Sequence, residues 1–308
     1  MTANPHPASA LRSVWIDLGW LVVLVVALGF PFVVDALGRL TYAWSLAFWG
    51  IPILYLIPLF LTLTADGHGR RRRALMLTVG LIVGLGVVLD FLLGPLTLTF
   101  PGCVVDDGRY LYCLAGRVPI EEILFYALGP IAIILVYAAA DERWLQAYNP
   151  KDDLLNVKLL QISPPLVMTA FVATVFLTIV WRVRGEFPTY ATFLTAGALL
   201  PAIVLYRCIG RFINWPAFAA TTLYVTLTSV IWEVTLAVPR GWWGYEMRGM
   251  LAAIGAWSRP EPFPVEAAFV WIAATFSAVL TYEFFKAFMH HPSPSSRVAL
   301  IGPPRGQP

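Results

Sequence analysis

Charge is what this chain has least of. Of its 308 residues only 13% are Asp, Glu, Lys or Arg, while 59% are hydrophobic. A soluble domain carries about 25% charged residues. With a mean hydropathy of +0.74, the composition excludes an ordinary soluble globule and leaves an integral membrane protein. The net charge of +3 comes with no basic patch fit for nucleic acid. Its only basic run, Arg70 to Arg73, reads as an orientation signal beside a membrane span. Cysteine is scarce. Cys103, Cys113 and Cys208 make no CxxC pair, and with His6, His68, His290 and His291 they give no metal-ligand spacing. Cys103 and Cys113 share one loop and could pair as a disulfide if that loop is extracytoplasmic. A Gly-x-Gly-x-x-Gly motif is missing too. Gly80, Gly84 and Gly86 have the wrong spacing and lie inside an apolar stretch, where small residues serve helix packing. No flavin, nicotinamide or metal site is therefore expected. The first apolar run, Leu18 to Val34, lacks a clean cleavage site and reads as a retained span, not a signal peptide.

What the chain does have is long apolar runs. A helix needs roughly 20 apolar residues to cross the hydrocarbon core. That measure predicts an all-α integral membrane protein of about eight spans. They are Leu18–Leu37, Ala43–Leu63, Ala74–Leu93, Glu121–Ala140, Pro165–Val183, Tyr190–Tyr206, Phe218–Ala237 and Val265–Lys286. Pro201, inside the sixth, is expected to kink it. Asp141 to Ser163 is a polar linker that divides the chain into halves, residues 1–155 and 156–308. The tail from His291, rich in Pro and Ser, is expected to be disordered. An orientation with both termini in the cytoplasm puts most of the 21 Lys and Arg residues there.

The halves repeat. Val88-Leu89-Asp90-Phe91 aligns with Ile231-Trp232-Glu233-Val234, an offset of 143 from Asp90 to Glu233. Pro119-Ile120-Glu121 aligns with Pro264-Val265-Glu266, an offset of 145 from Glu121 to Glu266. Tyr137 falls on Tyr282 at that second offset. Each half has a helix ending in an acid, a long loop, then Pro-x-Glu opening another helix. With the halves four spans apart, both acid sites belong at one membrane face and are expected to open on a common polyene-binding cavity.

A lone Pro-x-Glu helix start is ordinary practice, because proline needs no donor there and the carboxylate suits the helix dipole. Here the motif occurs twice, each copy follows an acid (Asp90 or Glu233), and Glu122 doubles the first carboxylate. Carboxyl groups sharing a buried site retain a proton between them, which protonation of an unactivated alkene demands. Phe125, Tyr126, Trp232, Trp242, Trp243 and Tyr245 crowd the same stretches, where an interfacial aromatic belt is the commoner role.

At these residues the chain resembles the small-subunit lycopene cyclase family, in two tandem copies. The first copy has Arg70 to Arg73, Leu89-Asp90 and Pro119-Ile120-Glu121-Glu122-Ile123-Leu124-Phe125-Tyr126. The second has Arg207 and Arg211, Trp232-Glu233, Gly241-Trp242-Trp243-Gly244-Tyr245, Pro264-Val265-Glu266 and Thr281-Tyr282-Glu283. The likeness covers residues 43–140 and 190–290. Two departures stand out: Leu89 replaces the usual Trp, and Ala267 replaces the second Glu.

The resemblance implies a carotenoid-biosynthesis enzyme, an intramolecular lyase of a bacterial or archaeal plasma membrane. It would cyclise the linear end of lycopene without net redox change and without a cofactor. Glu121 or Glu122 would donate the proton, with the other, or Asp90, as partner and final base. Glu233 and Glu266 would be the second copy's catalytic acids. Phe125, Tyr126, Trp232, Trp243, Tyr245, Tyr282 and Glu283 would bind the polyene, with aromatic faces stabilising the cation. Lycopene or another long polyene, membrane lipid, a second copy of the chain or another carotenoid enzyme are the implied partners. Three rivals stay open: a hydratase that captures the same cation with water, a non-catalytic carotenoid-binding or assembly subunit, and a transporter using the acids as proton relays.

Overall fold

The computed structural model describes residues 7–63, 69–93, 97–105, 110–149, 190–191, 194–246, 250, 253–254 and 263–290. Its helices are α1 (Pro7–Ala36), α2 (Tyr42–Ser45), α3 (Ala47–Leu63), α4 (Arg70–Leu93), α5 (Pro101–Val105), α6 (Ile120–Ala139), α7 (Leu200–Ile209), α8 (Trp215–Trp232) and α9 (Val265–His290). Among the described residues, five helical stretches are long and apolar enough to cross a membrane: Val14–Ala36, Tyr42–Leu63, Ile120–Trp144, Trp215–Ala237 and Val265–Met289. The long helix α4 covers the expected third span but is not among these five, and Arg70 to Arg73 occupy its first turn.

Two expectations need separate comment. The span expected at Pro165–Val183 lies outside the described residues, as does the tail from His291. The one expected at Tyr190–Tyr206 is described from Leu194 onward as a π-helical turn, Leu194–Leu199, followed by the ten-residue α7. Pro201 sits in the first turn of α7, directly after the π-helical turn, so the helical hydrogen-bond pattern changes beside the proline.

The helix α6 is the hub, packed on α3, α4, α8 and α9. In its apolar window 61% of the residues are buried, against 11% for the N-terminal stretch of α1, so α1 lies at the periphery. Between apolar helices in an apolar solvent, close van der Waals fit takes over from water expulsion. Gly86 shows this: a methyl group there would lie 3.5 Å from the Tyr126 ring, so the α4 backbone accepts α6 at contact distance.

Side-chain contacts define two ends of the bundle. At the basic end Arg71 pairs with Glu142 at 2.8 Å, Arg143 with Asp17 at 3.1 Å and Lys286 with Glu283 at 2.7 Å. Asn214 donates to the Leu145 carbonyl at 2.9 Å there. At the other end lie three two-residue antiparallel ladders, built from β1 (Leu98–Thr99), β2 (Cys113–Leu114), β3 (Val118–Pro119), β4 (Gly244–Tyr245), β5 (Ala253–Ile254) and β6 (Phe263–Pro264). Both Pro-x-Glu helices are entered through such a ladder, with Cys113 opposite Pro119 and Ala253 opposite Pro264. Pro119 is the N-cap of α6, one step before the first helical turn.

Strands β1 and β4 pair with each other, Thr99 opposite Gly244 and Leu98 opposite Tyr245. Helices α4 and α8 run toward this end and α6 and α9 run away from it, so the first turns of α6 and α9 share one face. Cys103 and Cys113 form a disulfide there.

Candidate active site

The centre is built on the first turn of α6. Glu121 and Glu122 stand there, both buried. Relative to Phe125 they are at i−4 and i−3, which puts all three side chains on neighbouring surface of one helix. The two carboxyls reach different partners. Glu122 Oε2 accepts the Tyr42 hydroxyl at 2.6 Å. Glu121 Oε1 accepts the Leu111 backbone N–H, also at 2.6 Å, and Glu121 Oε2 is buried with no hydrogen-bond partner among the described residues. Thr41 caps α2 by accepting the Trp44 N–H, which starts the helix at Tyr42 and fixes where its ring projects.

The second half contributes Glu233 from the end of α8, at the start of a π-helical turn, Glu233–Ala237. Such single-turn bulges re-aim side chains and recur at functional sites. Glu233 Oε1 accepts from Ser229 Oγ at 3.1 Å and from Trp271 Nε1 at 3.3 Å, and Oε2 accepts from the Tyr245 hydroxyl at 2.8 Å. Burial, then the neighbouring Glu233 charge, push the Tyr245 phenol well above its ordinary range, so it stays a donor.

An aromatic cluster lies between Glu122 and Glu233. Phe125 stacks on Trp232 at 5.1 Å, Trp232 meets Trp243 at 4.9 Å, and Tyr42 stacks on Trp242 at 5.5 Å. Trp271 stacks on Trp49 at 4.8 Å and meets Phe125 edge-on at 5.4 Å. Tyr110, in the disulfide-closed loop, donates to the Trp242 carbonyl. Ring faces carry negative potential, so two carboxyl-bearing walls and this cluster make a region disposed toward positive charge.

Of the expected residues, Glu121, Glu122, Phe125, Trp232, Glu233, Trp243 and Tyr245 come together. Glu266 is buried in the first turn of α9 at the same end, followed by the buried Ala267. Tyr126 touches Phe125 at 6.4 Å but faces Gly86 of α4. The backbone of Asp90 lies in the last turn of α4 at this end, and its side chain lies outside the described residues. Tyr282 and Glu283 do not join the site. They lie 16 and 17 residues along α9 from Glu266, about 25 Å at 1.5 Å per residue. There Glu283 is bound by Lys286, whose ammonium sits 5.6 Å from the centre of the Tyr282 ring.

Sequence reasoning missed Tyr42, Trp49, Ser229 and Trp271. Trp271 alone carried a signal, since it falls on Tyr126 at the 145-residue offset. Among the described residues, no group of three or more His, Cys, Asp or Glu side chains is placed to hold a metal ion. Compared with family models, curated proteins and solved structures, the chain finds no match.

Proposed function

We propose that this chain is an integral membrane enzyme that cyclises the linear end of lycopene, or of a similar long polyene, by proton transfer without net redox change. The observation that carries the reading is the aromatic cluster with buried carboxyls on both sides, Glu121 and Glu122 on one and Glu233 on the other. Burying a carboxyl is costly unless it is satisfied, and packing alone gives no reason to collect several at one end of an apolar bundle. Proton transfer to an alkene needs such an acid, and the cation that results needs aromatic faces and a nearby anion.

In this reading Glu121 Oε2, a buried oxygen with no hydrogen-bond partner among the described residues, carries the proton. Its O–H bond breaks as a C–H bond forms at the terminal alkene, leaving a tertiary cation. The neighbouring alkene closes the ring, and loss of an adjacent proton to the ionised first-half pair gives the cyclic alkene. Glu122, held by Tyr42, is the partner acid. Lipid covers the outer apolar surface, where Leu54 is 71% and Met76 is 72% exposed, and the polyene enters from that side. The disulfide favours an oxidising compartment at the acid end, and the arginine run favours the cytoplasm at the other.

The test is pigment chromatography of lycopene-accumulating cells expressing the chain, beside an inserted Glu121→Gln, Glu122→Gln variant. Cyclic carotenes from the native chain and lycopene alone from the variant support the reading. Unchanged lycopene with native protein in the membrane sinks it.

A further inference from the structure

The hub helix α6 is covered unevenly. From Ala132 to Ala139 every residue is buried, on a helix that packs against α3, α4, α8 and α9. Nearer the acid end the cover opens. Leu124 is 47% exposed, the one exposed side chain of α6 among the described residues. Ile120, Ala127, Leu128 and Ile131 are half-buried, and at 3.6 residues per turn all five fall on one side of the helix. They form an apolar window about 17 Å long at 1.5 Å per residue, just over half of the roughly 30 Å hydrocarbon core.

The window starts in the turn that carries the acids and borders only one of them. Around the helix axis Glu121 lies about 60° from Leu124, and Glu122 about 160°. Glu122 turns instead to Tyr42. Phe125, beside Glu121 on the wheel, is itself only half-buried, although its ring meets Trp49, Trp232 and Trp271. Above Glu121 stands the disulfide-closed loop, whose Leu111 N–H it accepts. The window thus opens beside the acid, toward lipid.

We propose that this window is the lateral entrance of the centre, where a linear polyene lies along α6 against Leu124 with its end at Glu121. The proposal supplies the route for the cyclase reading above and rests on it. Chemistry selects the occupant. A phospholipid carries its polar headgroup at the level of the first turn of α6, and its methyl ends lie near the bilayer centre. A polyene has no headgroup, so its terminal alkene can lie level with the acid while the rest of the chain fills the window. The face is apolar throughout, as a hydrocarbon needs, and it is continuous with the acid and the half-buried ring that the reaction uses.

The test is photo-crosslinking in lipid vesicles that contain lycopene. The full chain is made as Leu124→photo-leucine, a diazirine close to leucine in shape, and separately as Val88→photo-leucine. Val88 is 55% exposed near the acid end of α4, so it reports on bulk lipid at a similar depth. Mass spectrometry is expected to find about tenfold more lycopene adduct at the Leu124 position than at the Val88 position, saturating as lycopene is raised. Equal lycopene adducts at both positions, phospholipid adducts alone, or adducts only to this chain or a second copy overturn the entrance. A preferred lycopene adduct at the Leu124 position beside a failed pigment assay keeps the entrance and removes the reaction. Cyclic carotenes beside equal adducts keep the reaction and overturn the entrance.

Discussion

Both ends of this bundle bury carboxyl groups, but they satisfy them differently. At the basic end Glu142 and Glu283 are held by the cations of Arg71 and Lys286. At the acid end the donors that hold Glu121 and Glu233 are neutral: a backbone amide, a phenol, a hydroxyl and an indole. An ion pair locks its carboxylate, because removing either charge strands the other in a low dielectric. A carboxyl held by neutral donors can change its proton without stranding a charge. The acid end also has an ion pair, Arg240 with Asp35, but it is partly exposed and leaves the neutral donors of Glu121 and Glu233 in place.

The sharpest way to break this comparison is at the acid end. Glu121→Gln with Glu122→Gln is expected to lower cyclic carotene formation by more than about 100-fold while leaving insertion and melting temperature near native. A fall in melting temperature that matches the loss of product would make the pair structural. Next is Lys286→Met at the other end, which leaves the Glu283 carboxylate buried without its cation. The expected cost is about 3 kcal/mol, read as a lowered unfolding midpoint in detergent, with turnover per folded molecule unchanged.

The disulfide comes third. It closes the loop that presents the Leu111 amide to Glu121 and the Tyr110 hydroxyl to Trp242. Cys103→Ser with Cys113→Ser is expected to cost about 2 kcal/mol and to reduce turnover several-fold. Full turnover would show that α6 alone orients Glu121. Tyr42→Phe removes one hydrogen bond to Glu122 and keeps the ring, so a loss of about 1 kcal/mol, or roughly fivefold in rate, should appear in product formed per hour. The smallest effect belongs to Tyr282→Phe, expected to change product yield by less than about twofold. A large loss there would mean that the polyene reaches the basic end and that the two ends act as one site.

Much of the fold was legible because apolar runs and their punctuation are local. Val14–Ala36, Tyr42–Leu63, Ile120–Trp144, Trp215–Ala237 and Val265–Met289 each overlap a run read from the sequence, and the repeat offsets placed both Pro-x-Glu starts at one end. Pro201 marks where the π-helical turn gives way to α7, a local break that its missing N–H made legible. Tyr282 and Glu283 misled because a short motif says nothing of depth along a helix. The π-helical turn at Glu233–Ala237 left no mark in the sequence, yet it sets how that acid projects.

By itself, then, the sequence determined the class of solvent the helices suit, their directions and the common end of the acids, since length, hydropathy and the count of crossings are properties of the chain taken in order. Only the tertiary structure decided which donor meets which acid. Tyr42 lies 80 residues from Glu122, and Trp271 lies 38 from Glu233. Contacts across such separations depend on how helices pack and rotate about one another, which no local pattern encodes. That packing brought the Tyr42 hydroxyl to Glu122, and the Ser229 and Tyr245 hydroxyls with the Trp271 indole to Glu233.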